Sequence, residues 1–454
     1  MAAGDGTRMK SSLPKVLHPV NGKSMIFHVL DAVEGLTPDI GVVLGASAPE
    51  IRRILPEGTR VFFQKRRLGT GHAVMTASPW LKRPSGSVLV LCGDTPLLRR
   101  ETLRSLCETH RREKNAVTLL TAHIPDAFGY GRILRHPSGR PEAIIEEKDA
   151  SPAQRAIREI NTGVYCFEIP ALLRALRQIR PENKKGEYYL TDVVSVLSKD
   201  HRRLGAVIMK SPEEAMGVNR RTELAMAERV MQQRILDKLM GDGVTVADPS
   251  HTYVEAGVRV GADTVLLPGT FLKGKTRVGR GCRIGPFTYL EDCVIEDGAE
   301  LRAVFAYQSK IDRGAKLGPY THLRPGTRVR RNARIGNFVE IKKSDIGEGT
   351  KVSHLSYIGD ARLESEVNVG AGAITCNYDG FQKHQTRVGR GAFVGSNVNL
   401  VAPVRVGRGA IVGAGSTVTE NVPADALSLE RAPHLIKKGW ARLRRIQRQK
   451  RGHT

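Results

Sequence analysis

The sequence predicts an α/β unit with a mostly parallel, Rossmann-like sheet, followed by a left-handed parallel β-helix. In the first half of the chain, short apolar segments of strand length alternate with segments of helical periodicity. In the second half, aliphatic residues recur at every sixth position. The predicted divisions are 1–221 for the α/β unit, 222–243 for a connector helix, 244–422 for the β-helix and 423–454 for a basic tail.

Composition agrees with a chain of two or three domains in 454 residues. Aromatic residues make up only 5% of the chain, while it has 47 glycines, a balance that suits β-rungs and turns. No apolar run approaches the roughly 20 residues that span a bilayer, and the N-terminus shows no secretory signal. We therefore expect a cytoplasmic protein with no membrane partner.

Cysteine spacing indicates neither a disulfide framework nor a zinc site. No C-x-x-C motif occurs, and the residues are scattered along the chain. Reduced thiols are the simplest interpretation. The cysteines are Cys92, Cys107, Cys166, Cys282, Cys293 and Cys376.

The formal charge of +25 raises the question of nucleic-acid binding. The sequence shows no helix-turn-helix, RNP-type or zinc-finger motif, and its basic residues are spread along the whole chain. Positive clefts for small polyanionic substrates explain the charge as well. We expect no specific nucleic-acid partner, and we expect the last dozen residues of the tail to be solvated and disordered.

The elements of the α/β unit follow from periodicity. Segments 42–44 and 87–91 are predicted to be buried strands, and segments 102–114 and 188–199 are predicted to be helices. Segment 222–240 is a charged helix without turn residues. In a parallel sheet covered on both faces, ligands bind beyond the carboxyl ends of the strands.

The second half repeats with a period of six, which fits neither an isolated amphipathic helix nor an alternating strand. It is typical of a β-helix whose coils are three short strands each. Breaks in the period at Ile295, Ile346 and Leu363, and an interruption at 376–387, are predicted to mark loops leaving the prism. The repeating positions are Val254, Val260, Leu266, Leu272, Val278, Ile284 and Leu290, then Ile311, Leu317, Leu323, Val329, Ile335 and Ile341, then Val388, Val394, Leu400, Val406, Val412 and Val418.

A glycine-rich segment at the start of the chain has the composition of a phosphate-binding loop. Gly4 and Gly6 allow turn conformations in which successive N–H groups form an anion-binding nest. Arg8 and Lys15 add full positive charges within the same short stretch. The segment therefore predicts a triphosphate site.

Asp94 follows directly on the predicted strand 87–91 and so stands at the mouth of the expected cleft. A carboxylate there could hold Mg²⁺ against phosphate oxygens. It could equally cap a turn, and the sequence alone leaves both interpretations open. Further polar segments between apolar runs, each of which by itself is usually only a turn, are Gln64 with 68–72, 129–132, Glu146, 161–163 and 218–219.

Several longer motifs lie in the second half of the chain. They are Leu323-Arg324-Pro325-Gly326, Glu340-Ile341-Lys342-Lys343, His354-Leu355-Ser356-Tyr357-Ile358-Gly359-Asp360, and the segment 368–380, Asn-Val-Gly-Ala-Gly-Ala-Ile-Thr-Cys-Asn-Tyr-Asp-Gly. With these motifs and the polar segments of the first half, the chain resembles the bacterial bifunctional N-acetylglucosamine-1-phosphate uridylyltransferase/glucosamine-1-phosphate acetyltransferases. The resemblance runs from Ala2 to about Arg431 and leaves out only the tail.

The resemblance implies a nucleotidyltransferase fold in the first half, and an enzyme that acetylates glucosamine-1-phosphate with acetyl-CoA. It then transfers UMP from UTP to give UDP-N-acetylglucosamine, a cell-wall and lipopolysaccharide precursor, and pyrophosphate. It also implies a homotrimer with Mg²⁺ held by Asp94 and Asn219. The residues implied around UTP or UDP-N-acetylglucosamine are Ala2, Ala3, Gly4, Arg8, Lys15, Gln64, Gly69, Thr70, Gly131, Glu146, Asn161 and Asn219.

For the second site the resemblance implies His354 as the general base. The residues implied around the sugar phosphate are Arg324, Lys342, Tyr357, Asn368 and Lys383. Those implied along acetyl-CoA are Asn377, Tyr378, Ser396, Ala414 and Arg431.

These residue types suit the two reactions. A sugar phosphate is already an anionic nucleophile, so uridylyl transfer needs positioning and charge neutralisation rather than a base. An ammonium group cannot attack a thioester until it loses a proton, and an imidazole with an ordinary pKa near 6.5 is suited to take it.

Two departures from the family pattern stand out. Relatives usually carry an apolar strand before the glycine loop, which here begins at residue 2, so the sheet would lack its central strand. Either coding sequence upstream supplies it, which we favour, or the first activity is weakened. In addition, Cys92 stands where the family often has Tyr, which puts the contacts of that ring in doubt.

Two alternatives remain open from the sequence. The β-helix could serve another acyl acceptor or only build the oligomer, against which His354 and Asn377 argue. The chain could also be a non-enzymatic assembly subunit, against which Lys15, Asp94 and Asn219 argue.

Overall fold

The computed structural model describes residues 1–4, 6–37, 39–45, 48–82, 85–432 and 434–451. The chain divides into two compact units, Met1–Ile235 and Leu236–Thr454. The division falls inside helix Arg221–Gly241, which coincides with the predicted connector.

The first unit contains short strands, six of which form one mixed sheet. They are β1 Pro19–Val20, β2 Lys23–Ser24, β3 Gly41–Leu44, β4 Arg60–Phe63, β5 Ser87–Val90, β6 Val117–His123, β7 Arg132–Arg135, β8 Pro141–Ile145, β9 Glu159–Glu168 and β10 Leu204–Ile208. The strands predicted at 42–44 and 87–91 are β3 and β5.

Its helices are α1 Met25–Val33, α2 Ala48–Ile54, α3 Thr70–Thr76, α4 Ser78–Leu81, α5 Arg100–Glu113, α6 Pro152–Arg155, α7 Ile169–Leu176, α8 Asp192–Lys199 and α9 Arg221–Gly241. Short 3₁₀ turns occupy Thr7–Met9, Lys15–Leu17 and Pro212–Ala215.

The main sheet runs in the order β10-β6-β9-β7-β8, and β5 also pairs with β9. Strand β9 is antiparallel to β5, β6 and β7, so these three strands and β10 share one direction while β8 and β9 oppose them. Strands β3 and β4 form a separate parallel pair. Gln64 follows directly on β4, and Cys92 and Asp94 follow β5.

Helices cover both faces of this sheet, as the alternation of elements predicted. Successive residues of β6 point to opposite faces. Val117 and Leu119 join the core formed with α7 and α8, whereas Leu120 and Ala122 join the core formed with α1 and α5.

A cavity of about 670 Å³ is lined by β3 on one side and β5 on the other, and the two strands do not pair. The Met1 amino group donates to Leu91 O at 2.7 Å, and the Ala2 N–H donates to Val43 O at 2.8 Å. Met1 and Ala2 thus stand where a strand between β3 and β5 would end. In the described residues, no strand lies between β3 and β5.

The helix predicted at 188–199 was wrong at its beginning, since α8 starts only at Asp192. The Tyr188 N–H donates to Leu68 O at 2.7 Å, and Tyr188 O accepts from the Gly71 N–H at 2.8 Å. These bonds to a distant loop take the backbone groups that a first helical turn would need. The other predicted helices correspond to α5 and α9.

The second unit is a parallel β-helix with three faces. Strands of the first face are Thr245–Val246, Val265–Leu266, Arg283–Ile284, Glu300–Leu301, Lys316–Leu317, Arg334–Asn337, Lys351–His354, Asn368–Val369, Phe393–Val394, Ile411–Val412 and Leu427–Ser428. Strands of the second face are Thr252–Val254, Thr270–Lys273, Tyr289–Glu291, Val304–Tyr307, Thr321–Leu323, Glu340–Lys342, Tyr357–Gly359, Ile374–Cys376, Asn399–Val401 and Thr417–Val418. Strands of the third face are Arg259–Val260, Arg277–Val278, Val294–Ile295, Lys310–Ile311, Arg328–Val329, Asp345–Ile346, Ala361–Leu363, Thr386–Val388 and Val404–Val406. A short 3₁₀ turn, Pro249–His251, precedes the second face.

The aliphatic positions of the six-residue period point inward and form ladders, and nearly all are buried, with Val260 at the open end half-buried. Breaks in the period do not mark loops leaving the prism, contrary to the expectation. Arg259 pairs with Arg277 but Val278 pairs with Ile295, so the coil shortens from 18 residues to 17 and the ladder continues.

The same shortening occurs at Ile346 and Leu363, which pair with each other and stay buried. A coil that is one residue shorter loses that residue at a corner, because the inward side chains fix the register of the strands. The interruption at 376–387 does leave the coil, where Tyr378 and Lys383 form an isolated bridge.

The tail ends in helix α10, Trp440–Arg451. Side chains 440–448 are exposed, as expected of a solvated tail, but the expectation of disorder was wrong for this segment. The described cysteines are free thiols, in agreement with the sequence.

Candidate active sites

The first site centres on four polar side chains that distant segments bring together. Lys15 Nζ donates to Asp94 Oδ2 at 2.5 Å and to Asn219 Oδ1 at 3.0 Å. Arg8 donates to the same Asn219 oxygen at 2.8 Å. Four of the residues implied by the resemblance therefore form one cluster, with two cations facing a carboxylate and an amide.

The glycine loop packs directly on Lys15. Gly6 has φ 63°, and a Cβ there would lie 2.5 Å from Lys15 Cβ. A side chain at this position would strain the backbone and displace the lysine. Ala2 is buried and Ala3 is half-buried, whereas Gly4 is exposed and faces open space.

Glu223, a residue that sequence reasoning missed, holds Asn219 in place. The Glu223 carboxylate accepts from the N–H groups of Asn219 at 2.5 Å and Arg220 at 3.0 Å, at the start of α9. The Val218 N–H donates to Asp94 O at 2.8 Å. The signal that could have found Glu223 is an acidic residue in the first turn of a helix, where the free N–H groups need an acceptor.

Gln64, Gly69 and Thr70 lie together in a second group. Gln64 is buried, and its Nε2 donates to Gly69 O at 3.0 Å. Gly69 has φ 104°, and a Cβ there would lie 2.4 Å from Tyr188 O. The Leu190 N–H donates to Thr70 Oγ1 at 3.0 Å, so the loop is fastened to the segment before α8.

Glu146 lies at a half-buried position beside the same segment. The Thr191 hydroxyl donates to Glu146 Oε1 at 3.2 Å. Burial raises the pKa of the Glu146 carboxyl. Burial and the nearby Glu146 charge also raise the pKa of Asp192 to about 6. Thr191 and Asp192 carry no recognisable motif and were missed.

Asn161 and Gly131 meet where β9 pairs with the start of β7. The Asn161 N–H donates to Gly131 O at 2.8 Å, and Asn161 Nδ2 donates to the Tyr165 hydroxyl at 2.8 Å. Burial raises the pKa of that hydroxyl, which keeps it neutral. In the described residues, no direct side-chain bond links this group or Glu146 to the Lys15 cluster.

Cys92 fills the position where the family often has Tyr. Burial raises the pKa of its thiol to about 11. The thiol donates to Gly163 O at 3.8 Å. A small neutral side chain therefore borders the cluster where a ring would otherwise stand.

The second site begins on the second face of the β-helix. Arg324 donates to Glu340 Oε1 at 3.0 Å, one coil away. Lys342 and Lys383 are neighbours, and the Lys383 ammonium lowers the pKa of Lys342. Two adjacent ammonium groups repel unless an anion lies between them, so this pair is a candidate phosphate site.

Tyr357, Asn377 and Asp360 form a third contact group. Asn377 Nδ2 donates to Asp360 Oδ2 at 2.5 Å and lies 3.5 Å from the Tyr357 hydroxyl. Asp360 and Glu340 lie within motifs that carry the resemblance, but were not chosen as site residues. The sequence alone does not show that Glu340 binds Arg324 or that Asp360 binds Asn377.

Asp379 shapes the loop 376–387 that carries Tyr378 and Lys383. Its carboxylate accepts from the Gln382 N–H at 2.7 Å and the Phe381 N–H at 2.8 Å, and it lies 2.6 Å from His384 Nε2. These bonds, the backbone ones first, hold the pKa of Asp379 well below its usual range. The loop is therefore preorganised.

His354 is exposed at the end of a first-face strand. Its carbonyl accepts from the Ser356 hydroxyl at 2.8 Å, which fixes the corner after it. Asn368 lies half-buried one coil further along the same face. In the described part of the chain, neither His354 nor Asn368 has a side-chain hydrogen bond to the other site residues, so the imidazole is open to a substrate.

The residues implied along acetyl-CoA follow the coils toward the C-terminus. The Gly415 N–H donates to Ser396 O at 2.8 Å, which stacks one turn on the next. Arg431 donates to Ala414 O at 3.1 Å. Ser396, Ala414 and Arg431 thus form a continuous row of successive turns.

No helix in the described part of the chain is long and apolar enough to cross a membrane. The same residues contain no cluster of three or more His, Cys, Asp or Glu side chains placed to hold a metal ion. A Mg²⁺ site here would therefore rest on few protein ligands, which is the usual pattern for this ion.

Comparison with known proteins agrees with both halves. The model of the MobA-like NTP transferase domain matches residues 1–160, and that of the bacterial transferase hexapeptide (six repeats) matches residues 385–420. A protein of Geobacillus sp. (strain WCH70) named bifunctional protein GlmU is 48% identical over 441 residues, covering 97% of this chain and 96% of its own. One of the same name from Heliobacterium modesticaldum is 49% identical over 442 residues, covering 97% of this chain and 96% of its own.

Proposed function

The chain belongs to the family of the bifunctional protein GlmU, and from that premise we propose which of its residues perform each transfer. It is a bifunctional enzyme. One activity acetylates glucosamine-1-phosphate with acetyl-CoA, and the other transfers UMP from UTP to N-acetylglucosamine-1-phosphate. The products of the second step are UDP-N-acetylglucosamine and pyrophosphate.

Uridylyl transfer is assigned to the Lys15 cluster. The sugar phosphate oxygen attacks the α-phosphorus of UTP, and pyrophosphate leaves with the electron pair of the broken P–O bond. Arg8 and Lys15 neutralise the charge of the triphosphate, and the Gly6 loop lies close enough for backbone N–H groups to assist. The sugar would be oriented by Glu146 and Asn161. The uracil ring of UTP would be oriented by Gln64, Gly69 and Thr70.

Asp94 and Asn219 would hold Mg²⁺. Lys15 Nζ contacts one side-chain oxygen of Asp94 and one of Asn219, so these two oxygens are close enough to share one cation. Carboxylate and amide oxygens are the ligands that Mg²⁺ prefers. When bound, the ion would polarise phosphate oxygens and neutralise the charge of the leaving pyrophosphate. Lys15 would then turn to the phosphates.

Acetyl transfer is assigned to the second unit. Lys342, Lys383 and Arg324 bind the sugar phosphate, and Tyr357 and Asn368 position the amine. His354 takes a proton from the ammonium group, and the free amine attacks the thioester carbonyl. The acetyl–sulfur bond then breaks, and CoA leaves as the thiol with the proton that the nitrogen loses on becoming an amide. Asn377, Tyr378, Ser396, Ala414 and Arg431 lie along the path proposed for acetyl-CoA.

A homotrimer is proposed because a corner of the β-helix presents a row of exposed apolar side chains. Phe287, Tyr320, Phe338 and Leu355 each follow a first-face strand, and each is more than half exposed. An apolar row of this length usually marks an interface. Since His354 precedes Leu355, three-fold closure would let a neighbouring chain complete its site. Light scattering that shows a stable monomer active in acetyl transfer would refute the trimer.

We propose a cytoplasmic location, where the described cysteines would remain free thiols. The single observation that carries the division of labour is the neighbouring pair of Lys342, on a second-face strand, and Lys383, in the loop 376–387. Residues 244–454 alone should acetylate glucosamine-1-phosphate without Mg²⁺ and release no pyrophosphate from UTP. Loss of acetyl transfer in this folded fragment would contradict the assignment.

A further inference from the structure

Helix α10, Trp440–Arg451, holds none of the residues assigned above to the two transfers. No acidic residue follows Glu430, whereas Lys437 and Lys438 precede the helix and arginines fill much of it. The segment is therefore strongly basic along its whole length.

The helix has two distinct faces. Trp440, Leu443 and Ile446 follow one another at intervals of three residues and share one side, with exposed fractions of 52%, 61% and 40%. Arg445 and Arg448, in contrast, project to the other side. Arg444 follows Trp440 by four residues, and its guanidinium lies 5.0 Å from the Trp440 ring, at the border of the faces.

Apolar exposure extends ahead of the helix. Leu435 and Ile436 are 76% and 68% exposed. Together with Trp440, Leu443 and Ile446 they leave an apolar strip in water beside a dense positive charge. An isolated helix of 12 residues gains little stability in water, so a partner that covers the strip would stabilise it.

We propose that α10 binds the surface of an anionic lipid membrane. The helix would lie in the plane of the interface, with Trp440, Leu443 and Ile446 at the acyl boundary and the arginines on headgroup phosphates. A nucleic acid would pair with the arginines but would leave the aliphatic side chains in water. An anionic membrane satisfies both faces at once.

Binding of this kind is reversible. The strip is short, so apolar insertion and electrostatic attraction must act together. Salt screens the electrostatic part over about 10 Å at 0.1 M. The expectation of no membrane partner rested on the lack of a spanning segment, which does not bear on a helix that lies on the surface.

The test uses the full chain and vesicles of phosphatidylglycerol mixed with phosphatidylcholine, followed by sedimentation. We expect the protein to sediment with these vesicles, to remain in solution with pure phosphatidylcholine, and to be released by high salt. Tryptophan emission should shift to the blue on binding, and Trp440→Phe should lose that shift. Absence of binding to the anionic vesicles would overturn the proposal.

Two matched variants separate the faces. Leu443→Ser with Ile446→Ser keeps every charge, and Arg444→Gln with Arg445→Gln keeps the apolar strip. Each should weaken vesicle binding by about tenfold or more while both enzymatic rates stay unchanged, which also shows that the protein is folded. Equal binding by the serine variant would refute insertion of the strip.

A parallel titration with duplex RNA and duplex DNA tests the competing partner. The proposal would be overturned if the protein bound a nucleic acid more tightly than the anionic vesicles and the serine substitutions did not change that binding. The nucleic acid would then be the partner. Weaker binding to nucleic acid, lost at the same salt concentration for all sequences, would support the membrane.

Discussion

The two units build their sites in opposite ways. In the first unit, Lys15 meets Asp94 and Asn219 across 79 and 204 residues of sequence, and Arg8 meets Asn219 across 211. In the second, Arg324 meets Glu340 across 16 residues and Asn377 meets Asp360 across 17. One site is assembled from distant loops, and the other from neighbouring coils.

This difference bears on how each activity should fail. A coil of the β-helix is held by the coils on either side, so its site depends on a few adjacent strands. The loops around Lys15 depend on the sheet that aims them, and Met1 and Ala2 bridge the ends of β3 and β5. We therefore expect substitutions to separate the two activities cleanly, and backbone support to matter mainly in the first unit.

The largest effect is expected from His354→Ala. Loss of the general base should lower acetyl transfer by roughly 10²–10⁴-fold, while uridylyl transfer is unchanged. Thiol release from acetyl-CoA measures the first rate and pyrophosphate release measures the second. His251→Ala, at an exposed histidine of the same unit, is the control. Acetyl transfer near the wild-type rate in His354→Ala would remove this residue from the role.

Lys15→Gln tests the assembled site. The ammonium group is expected to stabilise charge on the triphosphate, so its loss should reduce uridylyl transfer by roughly a hundredfold or more. Acetyl transfer should not change. Lys23→Gln, which removes a more exposed lysine of the same unit, should leave both rates intact. If Lys15→Gln also impaired acetyl transfer, the independence of the two units would fail.

Adding residues ahead of Met1 tests whether the glycine loop needs support from a strand between β3 and β5. Five apolar, β-branched residues should enter the cavity between β3 and β5 and pair with both strands. Because a misplacement of about 1 Å can cost on the order of a hundredfold, uridylyl transfer should rise by up to that factor. Five Gly and Ser residues are the matched control. Equal uridylyl transfer from both extended proteins would show that the loop has another support.

The smallest effect is expected from Asp192→Asn, through pH. The folded pKa of Asp192 is raised to about 6, above the usual value of about 3.9, so the folded state holds the proton more tightly. Its stabilising contribution is therefore present below about pH 4 and is lost as pH rises through 6. Asparagine mimics the neutral form and should raise the unfolding free energy by about 1 kcal/mol at pH 8, with no change at pH 4.

Urea unfolding of the first unit at the two pH values measures this difference. Glu108→Gln, at an exposed position on α5, is the control and should show little change. A stabilisation of Asp192→Asn that is equal at both pH values would show that the carboxyl's charge is not the cause.

Local sequence determined the β-helix almost completely. Each six-residue step repeats the same inward aliphatic position, and neighbouring coils satisfy it through contacts 16–18 residues away, or 25 where the loop 376–387 intervenes. The main strands and helices of the first unit, such as β3 and α5, were likewise visible from periodicity. The types of residue in both sites followed from charge, glycine content and the resemblance of the motifs.

Tertiary structure decided what depends on distant partners. Segment 188–191 has helical periodicity, but the helix starts later because Tyr188 gives its N–H and C=O groups to the loop at 68–71. Lys342 and Lys383 become neighbours only because the loop 376–387 folds back. The shortened coil at Ile295 keeps its ladder because burial fixes register. A periodic sequence pattern reflects contacts that repeat between neighbouring coils. Contacts between segments far apart in the chain produce no such pattern.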